Sequence, residues 1–78
     1  MSTLADLSVH QIARVCNLRV DPDLGQRLAA LGLRPDREIE VLRRGFLHGP
    51  LLVRVGSTDF MLRFDAANLI DVEILAES

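Results

Sequence analysis

Cys16, His10 and His48 are the residues best equipped for nucleophilic or proton-transfer chemistry, against a scatter of carboxylates. A nucleophile works only when a base and an orienting group converge on it. These three residues show no spacing that would bring that about. No glycine-rich loop runs into a helix in the way a phosphate cradle requires. Metal chemistry fares no better. His10 and Cys16 share parity, so a continuous strand would put them on one face, but far apart along it. His48 would have to swing in from a loop, while a stable site needs three or four ligands held close. The expectation is therefore no catalytic residue, no metal and no cofactor. Cys16 is expected to be a small half-buried filler, and both histidines surface residues.

Binding chemistry is better represented. Arg27 and Arg34 flank an apolar stripe, and Arg43, Arg44 and Phe46 lead into a loop bounded by Gly45 and Gly49. Arginine and aromatic residues at a rim are common anchors for protein partners. Phe46 is the sharpest of the five: a large apolar side chain in such a loop either folds over the core or is offered to a partner. Proline-rich peptides are not the expected ligand, because three Phe are too few for an aromatic-lined groove. The net charge of −2 lacks the basic excess that phosphate neutralisation demands, so nucleic acid is not expected either. Arg43-Arg44 follows Glu38 and Glu40 and reads as a solvated strand rim. No run is apolar and long enough to span a bilayer, and the first residues lack the order of a secretory signal. A single cysteine permits no internal disulfide, which fits a reducing cytosol.

The elements that must carry these residues follow from periodicity. Seventy-eight residues, 49% of them apolar, suit one small globular domain over 1–78. Leu24, Leu28 and Leu31 form the stripe of a short helix, capped by Asp21 and begun by Pro22. Gly32 suits a left-handed stop, Leu33 can fold back onto the stripe, and Pro35 forbids continuation. Met1 to Asp6 read as a loose start. Gln11 to Val15 read as a strand with Ala13 and Val15 inward and Gln11 and Arg14 near the rim. Glu38 to Arg44 alternate as a half-buried strand, Leu51 to Val55 as another, and Gly56 to Asp59 as a tight hairpin turn. Phe60, Leu62 and Phe64 alternate inward. Asp65 caps a single helical turn over Asp65 to Asn68. Leu69 to Leu75 close the chain with Ile70, Val72 and Ile74 inward, before a frayed Ala76-Glu77-Ser78. The sum is a mainly β fold: a small SH3-like barrel of about five strands, with one inserted short α-helix and a helical turn before the last strand. Closure of such a barrel removes sticky sheet edges. The competing architecture is an open α+β sheet with the helix across one face.

The order Arg27-Leu28-x-x-Leu31-Gly32-Leu33-x-Pro35, the strand ending in basic residues, Gly49-Pro50-Leu51, the glycine hairpin, then Ala67 and Ile70-x-Val72 is similar to the FeoA family. These are small cytosolic accessory proteins of bacterial ferrous iron transport. The likeness runs from about Leu7 to Val72. It implies an SH3-like fold, no catalysis, and one partner: the cytosolic GTPase domain of a ferrous iron permease. It also implies a cytoplasmic location, with recruitment to the inner membrane through that partner and without insertion. A homo-oligomer is open, since an exposed strand edge or apolar loop can give a dimer or trimer. The same fold occurs as the C-terminal domain of iron-dependent repressors, so a stand-alone regulatory interaction module is the alternative. Two turns depart from the family's habit. Val9-His10 stands where Pro-Gly is common, and Asp36 where glycine commonly follows Pro35. Aspartate tolerates turn geometry better than most residues.

Overall fold

Strands form wherever apolar and polar residues alternate, and each pairs antiparallel with its neighbours. The computed structural model describes residues 2–76. In chain order they are β1 (Ser2–Thr3), a 3-10 turn (Leu4–Asp6), β2 (Ile12–Leu18), α1 (Pro22–Ala30), β3 (Glu38–Arg44), β4 (Leu51–Val55), β5 (Thr58–Leu62), α2 (Phe64–Ala67) and β6 (Ile70–Ala76). The strands make one sheet ordered β1-β6-β2-β3-β4-β5. Its extents, 31 × 26 × 25 Å, are nearly equal. The sheet is therefore curled into an SH3-like barrel and does not lie open under a helix. Ala13, Val15, Ile39, Val41, Leu51, Val53, Leu62, Ile70 and Val72 fill it from five strands. Glu77 and Ser78, where a frayed tail is expected, lie outside the described residues, while Ala76 ends β6.

Curling is achieved by bulges, each of which bends a strand and shifts its side chains by one position. On β3 the pairing passes from Val41 opposite Val53 to Arg43 opposite Leu52, so Leu42 is the extra residue. Ile39 and Val41 face the core before it. After it, Arg44 lies opposite the buried Leu51 and turns inward, half-buried, while Arg43 stays outside. The Arg44 guanidinium donates to the Leu7 carbonyl at 2.6 Å. On β2 the extra residue against β6 is Cys16, between Val15 opposite Val72 and Asn17 opposite Asp71. That bulge breaks the strand parity on which the His10–Cys16 comparison rested. Ile74 lies opposite the buried Ala13, on the inner face as expected, yet is 41% exposed just ahead of the bulge at Leu75.

α1 starts and stops as its residues dictate. The Asp21 carboxylate accepts from the Leu24 N–H at 3.0 Å, and Pro22 opens the helix. At the other end Gly32 has φ 99°, the Gly32 N–H donates to Ala29 and the Leu33 N–H donates to Leu28. This is the paired bonding of a Schellman stop, which only a left-handed residue allows. Leu28 and Leu33 are buried and Leu24 packs against the core, whereas Leu31 is 39% exposed. The stripe is therefore narrower than its spacing suggests. Leu31 is already the C-cap, where the helical path ends, and Leu33 takes its place inside.

The expected loose start is the largest correction. Ser2 pairs with Val72 and Thr3 with Asp71, and the Thr3 N–H is held by the Asp6 carboxylate at 2.9 Å. Leu4 and Leu7 are wholly buried, which anchors the segment beneath the barrel. Gln11, expected at the rim, is buried because its side-chain oxygen accepts from the Ser8 N–H at 2.7 Å. β2 runs three residues past Val15, and β5 begins at Thr58, so the hairpin turn is only Gly56-Ser57 with Gly56 at φ 60°. Phe64 opens α2 instead of ending the strand, and Asp65 sits in its first turn behind Arg63, the N-cap residue. Curling leaves the ladder with two ends, β1 and β5, so closure does not remove every edge.

Both departures from the family's turns are non-glycine residues in left-handed conformation. Asp36 has φ 73° and His10 φ 72°. Each is the third residue of a hydrogen-bonded turn, Arg34 to Arg37 and Ser8 to Gln11, at the position where a type II turn favours glycine. Such residues cost about 1 kcal/mol or more, and glycine recovers part of that less its own chain entropy. Asp36→Gly should therefore raise stability by about 0.5–1 kcal/mol, seen as a higher urea midpoint at unchanged slope. Arg44→Ala should act the other way. It strands the Leu7 carbonyl and should cost about 1–3 kcal/mol, with a melting temperature lower by roughly 4–8 °C per kcal/mol.

Candidate functional site

The bond-making residues do not converge. His10 sits in the first turn with its ring 3.1 Å from the Glu40 carboxylate. Cys16 is exposed at the β2 bulge, not half-buried, because the extra residue of a bulge has no place in the inward alternation. His48 stacks on Phe64, with ring centroids 4.4 Å apart and planes 12° from parallel. Among the described residues no group of three or more His, Cys, Asp or Glu could hold a metal ion. What the surface offers is contact chemistry.

The five residues singled out for binding fall at two ends of β3. Arg27 lies on the exposed side of α1 beside Asp23 and Gln26, and Arg34 follows α1 in the turn before β3. Arg43, Arg44 and Phe46 lie at the far end of β3, about 20 Å away at strand rise. Arg44 is spent on the Leu7 carbonyl. Arg43 is exposed and makes no ion pair among the described residues. The set is thus two small basic groups, and the second has the more exposed apolar companion.

That companion is the loop Gly45–Pro50. Its neck is closed by the Gly45 N–H donating to the Pro50 carbonyl at 2.8 Å. A Cβ on Gly45 would stand 2.8 Å from the Gly49 backbone, so the two glycines let the strands cross at a distance no side chain permits. At the tip the Gly49 N–H donates to the Phe46 carbonyl, and the two residues between, Leu47 and His48, have φ 52° and 61°. Two successive left-handed residues make a type I′ turn, a shape normally given to Asn-Gly. A leucine and a histidine are strained there, and such strain collects at functional sites. The His48 ring on Phe64 ties the tip to α2.

The strain has a visible product. Phe46 is 88% exposed and Leu47 83% exposed, side by side at the tip. Phe46 does not fold over the core; it stands in solvent. Leu47 completes the pair and was missed by sequence reasoning, although its place next to Phe46 between two glycines was a usable signal. Sequence reasoning also missed Met61, 59% exposed on the outer face of β5; the alternation that sends Phe60 and Leu62 inward sends it outward. Arg43, Leu52 and Met61 form one row across β3, β4 and β5 on that outer face.

A family model described as the FeoA domain matches residues 2–74. Among solved structures, the FeoA protein of Chlorobium tepidum is 31% identical with TM-score 0.90, and the match covers 96% of this chain and 71% of that one. The FeoA of Stenotrophomonas maltophilia, complexed with zinc and described as a prokaryotic SH3 domain protein, is 31% identical with TM-score 0.80. That match covers 94% of this chain and 91% of the other. A manganese-dependent transcriptional repressor is 25% identical with TM-score 0.84, over 95% of this chain and 41% of its own length. Among curated proteins none matches. A barrel with its helix between the first two long strands, a glycine stop after that helix and a domain match over nearly the whole chain agree, and the chain belongs to the FeoA family.

Proposed function

We propose that this chain is a non-enzymatic accessory protein of ferrous iron transport, acting as a protein–protein adaptor on the cytosolic GTPase domain of a ferrous iron permease. Family membership supports the transport setting. The S. maltophilia relative is itself described as a candidate activating factor of bacterial ferrous iron transport. The observation that carries the binding reading is the strained tip, which holds Phe46 and Leu47 out in water just past Arg43, exposed and without an ion pair among the described residues. Aromatic residues and arginine are enriched at protein interfaces, and Leu47 extends the apolar area that Phe46 offers. A rigid adaptor of this kind biases a GTPase only by binding one nucleotide state better than the other.

The likeness to the repressor favours a second reading, a regulatory interaction module using the same face. Binding of the purified chain to the permease's soluble GTPase domain, measured with and without guanine nucleotide, separates the two. Capture in either nucleotide condition supports the adaptor; none in both favours the regulatory module.

Phe46→Ala should weaken that binding by at least tenfold, about 1.4 kcal/mol, with an unchanged melting curve, since the side chain touches little of its own fold. Leu47→Asn should split stability from function. Asparagine tolerates the left-handed position, so the melting temperature should rise while binding falls. A variant that lost stability and kept full binding would remove the tip from the site.

A further inference from the structure

Among the described residues, β5 is the one end of the sheet longer than two residues, and its far side is open. Val55 opposite Thr58 closes the two-residue hairpin, so these two exchange hydrogen bonds. Alternation then makes Phe60 and Leu62 the residues bonded to β4, while Asp59 and Met61 turn their N–H and C=O groups away from it. Among the described residues no strand pairs with that side, and no backbone hydrogen bond outside the ladder involves Asp59 or Met61. Phe60 points inward yet is only half-buried, as expected beside an open edge. The usual guards are missing too. β5 contains no proline and no bulge, and the whole chain has no lysine. Its single charge, Asp59, is held by the Arg54 guanidinium at 2.7 and 3.0 Å.

We propose that this edge pairs with itself, joining two copies of the chain in a two-fold antiparallel ladder centred on Met61. The outer-face sequence is the argument. Asp59, Met61 and Arg63 are all exposed and follow one another at strand period. Turned end for end about Met61, an acid meets a base at both ends: Asp59 faces the partner's Arg63, and Arg63 faces the partner's Asp59. In the middle Met61 meets the partner's Met61. Leu52, directly beside Met61 on β4, and the partner's Leu52 extend this into one apolar row across the joined sheet. Arg63 has no ion pair within its own chain among the described residues. Asp59 stays ionised beside Arg54, and its oxygens have lone pairs to spare. Centring on Asp59 would set carboxylate against carboxylate, and centring on Arg63 would set guanidinium against guanidinium. The contact is isologous, as a two-fold dimer requires. Five residues of edge bury less than a permanent dimer needs, so the association is weak and concentration-dependent.

Sedimentation equilibrium of the intact chain from about 10 µM to about 1 mM tests this in the range where small interfaces associate. A monomer–dimer equilibrium is expected. Arg63→Asp should weaken it at least tenfold, because four carboxylates then crowd the two ends. The same substitution places a good N-cap at the start of α2, so loss of the dimer cannot be ascribed to unfolding. Met61→Lys should weaken it similarly by guarding the edge. In a Cys16→Ser background, Met61→Cys should give a disulfide-linked dimer on mild oxidation. A chain that stays monomeric at the highest concentration, or a dimer indifferent to both Arg63→Asp and Met61→Lys, would overturn the proposal.

Discussion

A core made of alanine, valine, isoleucine and leucine is small in cross-section, and five strands can enclose it only by bending sharply. That constraint governs the molecule. The bends fall at Leu42, Cys16 and near Leu75, where one strand carries a residue its neighbour does not match. Each bend also resets which face later residues occupy. The bulge at Leu42 sends Arg44 inward to the Leu7 carbonyl and leaves Arg43 outside. One extra residue thus fastens the N-terminal segment and frees the neighbouring arginine for contact. Without the bend, the two arginines would exchange faces and the segment under the barrel would lose its tie to β3.

Much of this architecture was legible from residue order. The α1 start at Asp21-Pro22 and its stop at Gly32-Leu33 follow from local chemistry alone, and the span of β3 from Glu38 to Arg44 follows from alternation. What escaped notice depended on partners distant in sequence. Ser2 and Thr3 look unstructured until β6 is beside them, and Gln11 looks like rim until Ser8 is folded against its side chain. Cys16 fails for a different reason: strict period-two reading has no place for a bulge, and nothing in that residue announces one.

The candidate site was half legible. Phe46 stands out by type and by its glycine flanks, and its exposure follows. The arginines were grouped by kind, and the fold sorted them by position. Arg27 and Arg34 went to one end of β3 and Arg43 and Arg44 to the other, with Arg44 drawn into a structural role. Leu47 and His48 carry the strain that shapes the tip, and backbone conformation of that sort is not written in residue type. Asp36 and His10 make the same point: they sit where glycine would be easier, and each is nonetheless held by a neighbouring strand, Asp36 through Val15 and His10 through Val41.

The crossing of Gly45 over Gly49 separates two jobs that loops usually mix. Everything needed to terminate β3 and launch β4 is done at the neck, by backbone atoms. The three residues beyond it answer to no other part of the barrel except through the His48 ring. They form a cassette whose lettering can be rewritten in evolution or by design, changing the surface it shows to solvent while the scaffold beneath reads the same.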